Sequence, residues 1–392
     1  MDVRWKVLLA LTLARTSMGF QFQLVPAQTP YYLDELGLSF TAFGTLAGAY
    51  LLPGTIAALS GGWLGVRIGD IRTALIGLVL MILGGLVLAV TDIFGALLAA
   101  RLASGIGAVA LNVMVTKMAG DWFEGQRDLP TAMGVLVSSW PAGIALAMLV
   151  APALAAQWGA SVAALSAPVF SAIALVLLAR IWRAPGRDKS ARSATNAPRL
   201  TRSELTLILF SGLIWAIYNV AFINVILWAP DVLTSRGTGQ IEAAALTSII
   251  GWSTMIAIPL GGWFAARMGH GDWIMMISFA LSGALAVAFG LWGTGASAFA
   301  TLLAFGLAFG PAAGLVVALP VEVTRADVRA FALGIYYAIY YVFLGIAPTV
   351  FGRLRDTTGE PAVTLVAAGL LFFLCVALLG LFRRAQNRSS AP

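Results

Sequence analysis

Twelve long apolar stretches, separated by short charged or Gly/Pro punctuation, constrain this chain more than any motif does. They fall near residues 5–28, 42–66, 72–91, 94–118, 130–153, 160–182, 204–229, 242–267, 273–292, 297–319, 329–352 and 361–382. A helix rises about 1.5 Å per residue and a bilayer core is roughly 30 Å thick, so each stretch can cross once. A membrane strand needs only about 9–11 residues of alternating polarity, and no window here alternates. The sequence therefore predicts an all-α membrane protein with twelve transmembrane helices. Composition agrees: 60% of residues are apolar and 10% charged, against roughly 45–50% and 25% in soluble chains. Soluble enzymes, disordered chains and disulfide scaffolds are excluded. One cysteine, Cys375, and one histidine, His270, leave no structural metal site and no cofactor to expect.

The opening MDVRWKVLLALTLA has the basic start of a secretory signal, but its apolar run continues past Arg15 without a small-residue cleavage site, so it is expected to stay as the first helix. With that end cytoplasmic, the inner loops and ends hold 19 of the 24 Lys and Arg, and the outer ones hold Arg236, Arg353 and Arg355. The positive-inside rule then places both termini in the cytoplasm, in an inner membrane. The net charge of +7 is thereby topological, which argues against a nucleic-acid partner. Residues 183–202 carry six basic residues and one acid among Pro, Ser and Gly. They are expected to form a cytoplasmic linker between an N-terminal six-helix bundle, 1–182, and a C-terminal one, 203–392.

A repeat supports that division. Gly61, Gly62, Trp63, Arg67 and Gly69 recur 200 positions later as Gly261, Gly262, Trp263, Arg267 and Gly269. Matching turns in two halves indicate a duplicated six-helix unit. Around the first turn, Gly62, Leu64, Arg67, Gly69 and Arg72 resemble the GxLxDRxGxR signature of the major facilitator superfamily, with Val66 at the usual acid position and Asp70 as the replacement charge. RLASGIGAVA from Arg101 is similar to that family's helix 4 motif, and Thr116 to Ala145 resembles its bacterial cyanate and nitrate type members. The resemblance implies two bundles around a central cavity that opens alternately to each side, in a protein working as a monomer. It also implies gating roles for Gly62, Arg67, Gly69, Asp70 and Arg72, and for Gly262, Arg267 and Gly269.

Two arginines fall inside spans: Arg15 in the first and Arg101 in the fourth. Each costs about 2.5–3.5 kcal/mol at the bilayer centre, so each should face protein or water. At 100° per residue, Arg15, Gly19, Phe22 and Pro26 share a face with Gln23 at its edge, and Arg101, Gly105, Ala108 and Asn112 share another. Small neighbours would leave space for a ligand. A guanidinium fork suits a carboxylate-like anion, while a structural or gating role competes for Arg101. Lys117 is expected to snorkel to the inner surface. All 17 acids lie in loops or at span ends, so a cation substrate lacks a deep partner. Trp215, Tyr218, Asn219 and Phe222 form a stripe in the seventh span, and Tyr336, Tyr337, Tyr340 and Tyr341 crowd the eleventh. Only one pair, Tyr336 with Tyr340 or Tyr337 with Tyr341, is expected to face the cavity well. Core packing accounts for such stripes equally well.

The expected function is a secondary transporter of a small organic or inorganic anion, since no GxxxxGK[ST] nucleotide loop is present. The expected substrate site comprises Arg15, Arg101, Gln23, Asn112, Trp215, Tyr218, Asn219, Tyr336 and Tyr340. An exporter of hydrophobic drugs or neutral metabolites is the alternative. A receptor would want a soluble signalling domain, and an enzyme would want a metal cluster or acid pair.

Overall fold

The computed structural model describes residues 2–57, 67–183, 200–325 and 328–389, and every regular element among them is a helix. The first half comprises α1 (Val3–Ala27), α2 (Phe40–Ala49, resuming after a turn to residue 57), α3 (Asp70–Val90), α4 (Phe94–Phe123), α5 (Leu129–Trp158) and α6 (Ala160–Ile181). The second comprises α7 (Arg202–Ser235), α8 (Gln240–Met268), α9 (Gly271–Trp292), α10 (Gly295–Glu322), α11 (Arg329–Thr358) and α12 (Ala362–Ser389). Gly61–Val66, with Gly62, and most of the linker lie outside the described residues.

Local chemistry sets the helix ends. Asp2 and Ser39 accept from the backbone of Arg4 and Ala42, and Thr201 with Glu204 forms a reciprocal capping box on α7. Gly69 before α3 and Gly269 after α8 have φ of 92° and 65°, angles that disfavour any side chain. In α2 the helix breaks ahead of Pro53, which has no N–H to continue the ladder. Several helices outrun their apolar stretches, as α7 does at both ends: the Thr201–Glu204 capping box starts it ahead of the apolar run, and it continues past Pro230 to Ser235.

Eleven of the helical segments are long and apolar enough to span a membrane. The twelfth, α1, has 25 residues but is too polar, with Arg15, Gln21 and Gln23 along it. It also faces protein rather than lipid: residues 16 to 27 are buried without a break. Its counterpart α7 is the most enclosed of the eleven, with 72% of its apolar window buried. Outer helices instead show apolar side chains such as Leu83, Val169, Ile277 and Leu370, as a lipid-facing surface requires.

Helices α1–α6 pack mainly on one another, as do α7–α12, and two seams join the halves, α2 with α11 and α5 with α8. The α2–α11 seam is nearly backbone to backbone. A Cβ on Gly48 would sit 2.1 Å from the Gly345 carbonyl, and one on Gly44 equally close to that of Pro348. These contacts occupy the ends of α2 and α11 remote from the chain termini, here called the far face. At the opposite, termini face the last turns of α8, from Gly262 to Met268, are largely exposed.

Candidate functional site

Arg15 sits where α1, α4 and α5 converge. Its Nε donates to Asn112 Oδ1 at 2.8 Å, and Nη1 donates to the carbonyls of Leu136 and Val137 at 2.6 and 3.0 Å. The Val137 carbonyl is available because the residue four positions on is Pro141, inside α5, which has no N–H to offer it. Nη2 takes part in none of these bonds, and the side chain is half-buried. No acid pairs with Arg15 among the described residues.

Arg101 is fully enclosed. It donates through Nε to Leu46 O (3.0 Å), through Nη1 to Gln21 O (2.9 Å), and through Nη2 to Phe22 O (3.1 Å) and Ala47 O (3.3 Å). Its guanidinium carbon lies 4.6 Å from the Tyr50 ring centre. Two of those carbonyls lack their helical donor. Phe22 precedes Pro26 by four residues, and at Ala47 the break in α2 turns Leu51 N–H to Gly48 instead. The fork satisfies what two broken helices leave open. The small residues beside the arginines admit neighbouring backbones rather than a ligand: Gly19 abuts Trp140 of α5 and Gly105 abuts Tyr50 of α2.

The second half faces Arg15 with rings. Tyr337, Tyr340 and Tyr341 are all within electrostatic range of its guanidinium. Tyr341 comes near Asn112 across the halves and lies against Gly54. Trp215 stacks on Tyr340, with ring centres 5.6 Å apart, and on Tyr336 at 6.3 Å. Its Nε1 is buried with no hydrogen-bond partner. Tyr337, Tyr340, Trp215 and Asn112 are half-buried around this space. The tyrosine pairs anticipated from spacing divide differently, because neighbours three apart, Tyr337 and Tyr340, border the space. Tyr336 is buried and donates to Val316 O. Tyr218 is buried too, stacked on Phe309 with its hydroxyl donated to that residue's carbonyl. Gln23 points to Met148 Sδ (3.2 Å), and Asn219 donates back to Trp215 O (2.8 Å). Both are buried.

Residues 7–348, most of the chain, match the Major Facilitator Superfamily. The chain belongs to this family of membrane transporters. Among curated proteins, none matches it in sequence. Family membership makes it a multi-pass secondary transporter of small molecules, not an enzyme.

The transporter's turn after α2 places Asp70 at the start of α3, where its carboxylate takes Lys117 Nζ at 2.5 Å. Lys117 also reaches Asp121 at 3.5 Å, so it is paired rather than only snorkelling. In the second half, Arg267 lies over the Trp263 ring, with Gly262 exposed beside it. Arg72 is exposed at the first turn of α3.

At the far face the halves are latched by a contact that sequence inspection misses. Asp356, near the end of α11, accepts from Phe40 N (3.0 Å), Thr41 N (2.8 Å) and Thr41 Oγ1 (2.5 Å). A carboxylate from one half thus caps the α2 N-terminus of the other. Beside it a cavity of about 1230 Å³ opens between the ends of α1, α5, α7 and α8, lined by Asp34, Glu35, Asp231, Glu242 and Asp356 with no Lys or Arg. Tyr31 lines it too and donates to Asp92 at 2.5 Å. Burial, then that bond, pushes its hydroxyl well above the ordinary range, so it stays a donor.

Proposed function

We propose that this transporter carries a small organic or inorganic anion by alternating access, with Arg15 as its counter-ion. One observation carries the reading. Arg15 is a half-buried cation with no acidic partner among the described residues, its Nη2 takes part in none of its hydrogen bonds, and tyrosines of the second half lie within electrostatic range of it. An uncompensated charge at that depth is expensive, and a bound anion offsets the cost. Asn112, Trp215, Asn219 and Tyr340 complete the site. Arg101 holds α1 and α2 to α4 in a structural role, and Tyr218 and Tyr336 serve the packing behind Trp215. Gln23 lies deeper, between α1 and α5.

In this reading residues 1–182 and 203–392 rock about the α2–α11 and α5–α8 seams, joined by the basic linker 183–202. Both termini face the cytoplasm, as the charge distribution favours. At the far face Asp356 latches α11 to the start of α2 beside the acidic cavity, and the turns bearing Arg67, Gly69, Asp70, Arg72, Gly262, Arg267 and Gly269 form the gate at the termini face. A thermal-shift screen of purified protein against nitrate, cyanate, acetate and benzoate tests it, since a ligand of the folded state raises stability. At least one anion should stabilise the native protein and not the Arg15→Gln variant. Equal stabilisation of both proteins would remove Arg15 from the site.

A further inference from the structure

Two features of the Arg15 space remain unused by the anion reading: an aromatic corner and unspent hydrogen-bond donors. Tyr337 and Tyr340 meet at 88°, with ring centres 6.3 Å apart, so they form two perpendicular walls. Behind Tyr340, Trp215 lies nearly parallel to it at 24°, extending that wall into a stack. A flat group laid parallel to one wall presents its edge to the other. Offset stacking and edge-to-face contact are the two arrangements that aromatic quadrupoles favour. One planar ligand therefore satisfies both walls at once.

The donors point the same way. Arg15 Nη2 has no protein acceptor, Trp215 Nε1 is buried and unpartnered, and the hydroxyls of Tyr337 and Tyr340 have no hydrogen bond among the described residues. The donors left over on Arg15 and the two tyrosines call for a ligand that brings acceptor oxygens, while Trp215 Nε1 stays buried behind them. An inorganic anion would meet only part of this. Nitrate and cyanate have no apolar surface to set against the rings. The second cation that would help enclose so small an ion, Arg101, is fully engaged with backbone carbonyls. A ligand with a basic nitrogen would meet Arg15 with no carboxylate beside it.

We infer that the substrate is a planar aromatic carboxylate, with its carboxylate on Arg15 Nη2 and its ring in the Tyr337–Tyr340 corner against the Trp215 stack. This rests on Arg15 being the anion site, so its test must separate the two ideas. Titration calorimetry on the purified, detergent-solubilised full chain would compare benzoate with acetate, nitrate and benzamide. Benzoate should bind about tenfold or more tightly than acetate or nitrate, because stacking contacts of this kind supply that much. Benzamide, with the same ring and no charge, should bind far more weakly than benzoate. In the Trp215→Leu variant the ratio of benzoate to acetate affinity should fall most of the way to one, whatever the absolute affinity for acetate becomes. Should that variant misfold, Tyr337→Leu, on the other wall, makes the same comparison. If acetate or nitrate binds as tightly as benzoate, the aromatic class is overturned and the anion site stands. If benzamide binds as tightly as benzoate, the charge contact at Arg15 fails and takes the inference with it.

Discussion

The half-buried Arg15 and the enclosed Arg101 should respond to substitution in opposite ways. In Arg101→Leu, four carbonyl contacts are lost, and those of Phe22 and Ala47 have no helical donor to fall back on. An unsatisfied buried carbonyl costs about 1–3 kcal/mol. The two together imply roughly 3–5 kcal/mol, after allowing for the relief of burying a charge. In Arg15→Gln the freed carbonyl of Val137 is reachable by water, and the variant removes an unpaired charge, so the net change should stay within about 1 kcal/mol. Thermal unfolding of both variants in the same detergent measures the contrast. At about 2 °C per kcal/mol for a large chain, Arg101→Leu should lose on the order of 6–10 °C and Arg15→Gln no more than about 2 °C. Anion uptake per folded molecule should fall sharply only for Arg15→Gln. If Arg101→Leu is as stable as the native protein, or if Arg15→Gln loses as much stability as Arg101→Leu, the division of roles is wrong.

Three further outcomes follow from the seams and the turn. Asp356→Asn keeps some of the cap on α2 but removes its charge, worth about 1 kcal/mol. Thiol labelling of a cysteine placed at Thr45, on the seam opposite Thr349, should accelerate about fivefold, and an unchanged rate would dismiss the latch. Gly48→Ala places a methyl 2.1 Å from the Gly345 carbonyl. It should raise labelling at the far face and abolish transport, whereas Gly314→Ala, with open space around it, should do neither. Asp70→Asn breaks the half-exposed pair with Lys117. It should cost about 0.5 kcal/mol or less at low salt, visible as a small shift in unfolding temperature that high salt erases.

The fold was legible because membrane crossing demands long apolar stretches, and the chain repeats them. Helix α1 was legible from its apolar run past Arg15 and from its place in the repeat, although its polar residues, which serve the interior, leave it less apolar than the other spans. The arginines were visible as charges in apolar spans, yet their difference was not. It depends on Pro26, Pro141 and the break ahead of Pro53, which decide where carbonyls fall free, and on which neighbouring helix supplies the guanidinium that meets them. Helical spacing grouped the tyrosines of α11 by face. It could not say that Tyr336 would turn into the second half while Tyr341 reached Asn112 in the first, because that follows from how the halves meet. The Asp356 cap joins residues more than 300 positions apart, and a single acid at a helix end carries no signal of its partner.

The central claim is that Arg15 carries the charge of the transported anion. Its most direct test is counterflow of radiolabelled benzoate into proteoliposomes by native protein, Arg15→Lys and Arg15→Gln, each normalised to folded protein. Native protein should accumulate label, Arg15→Lys should keep a reduced rate because the charge survives without the fork, and Arg15→Gln should match protein-free vesicles. Counterflow by Arg15→Gln at the native rate would contradict the account.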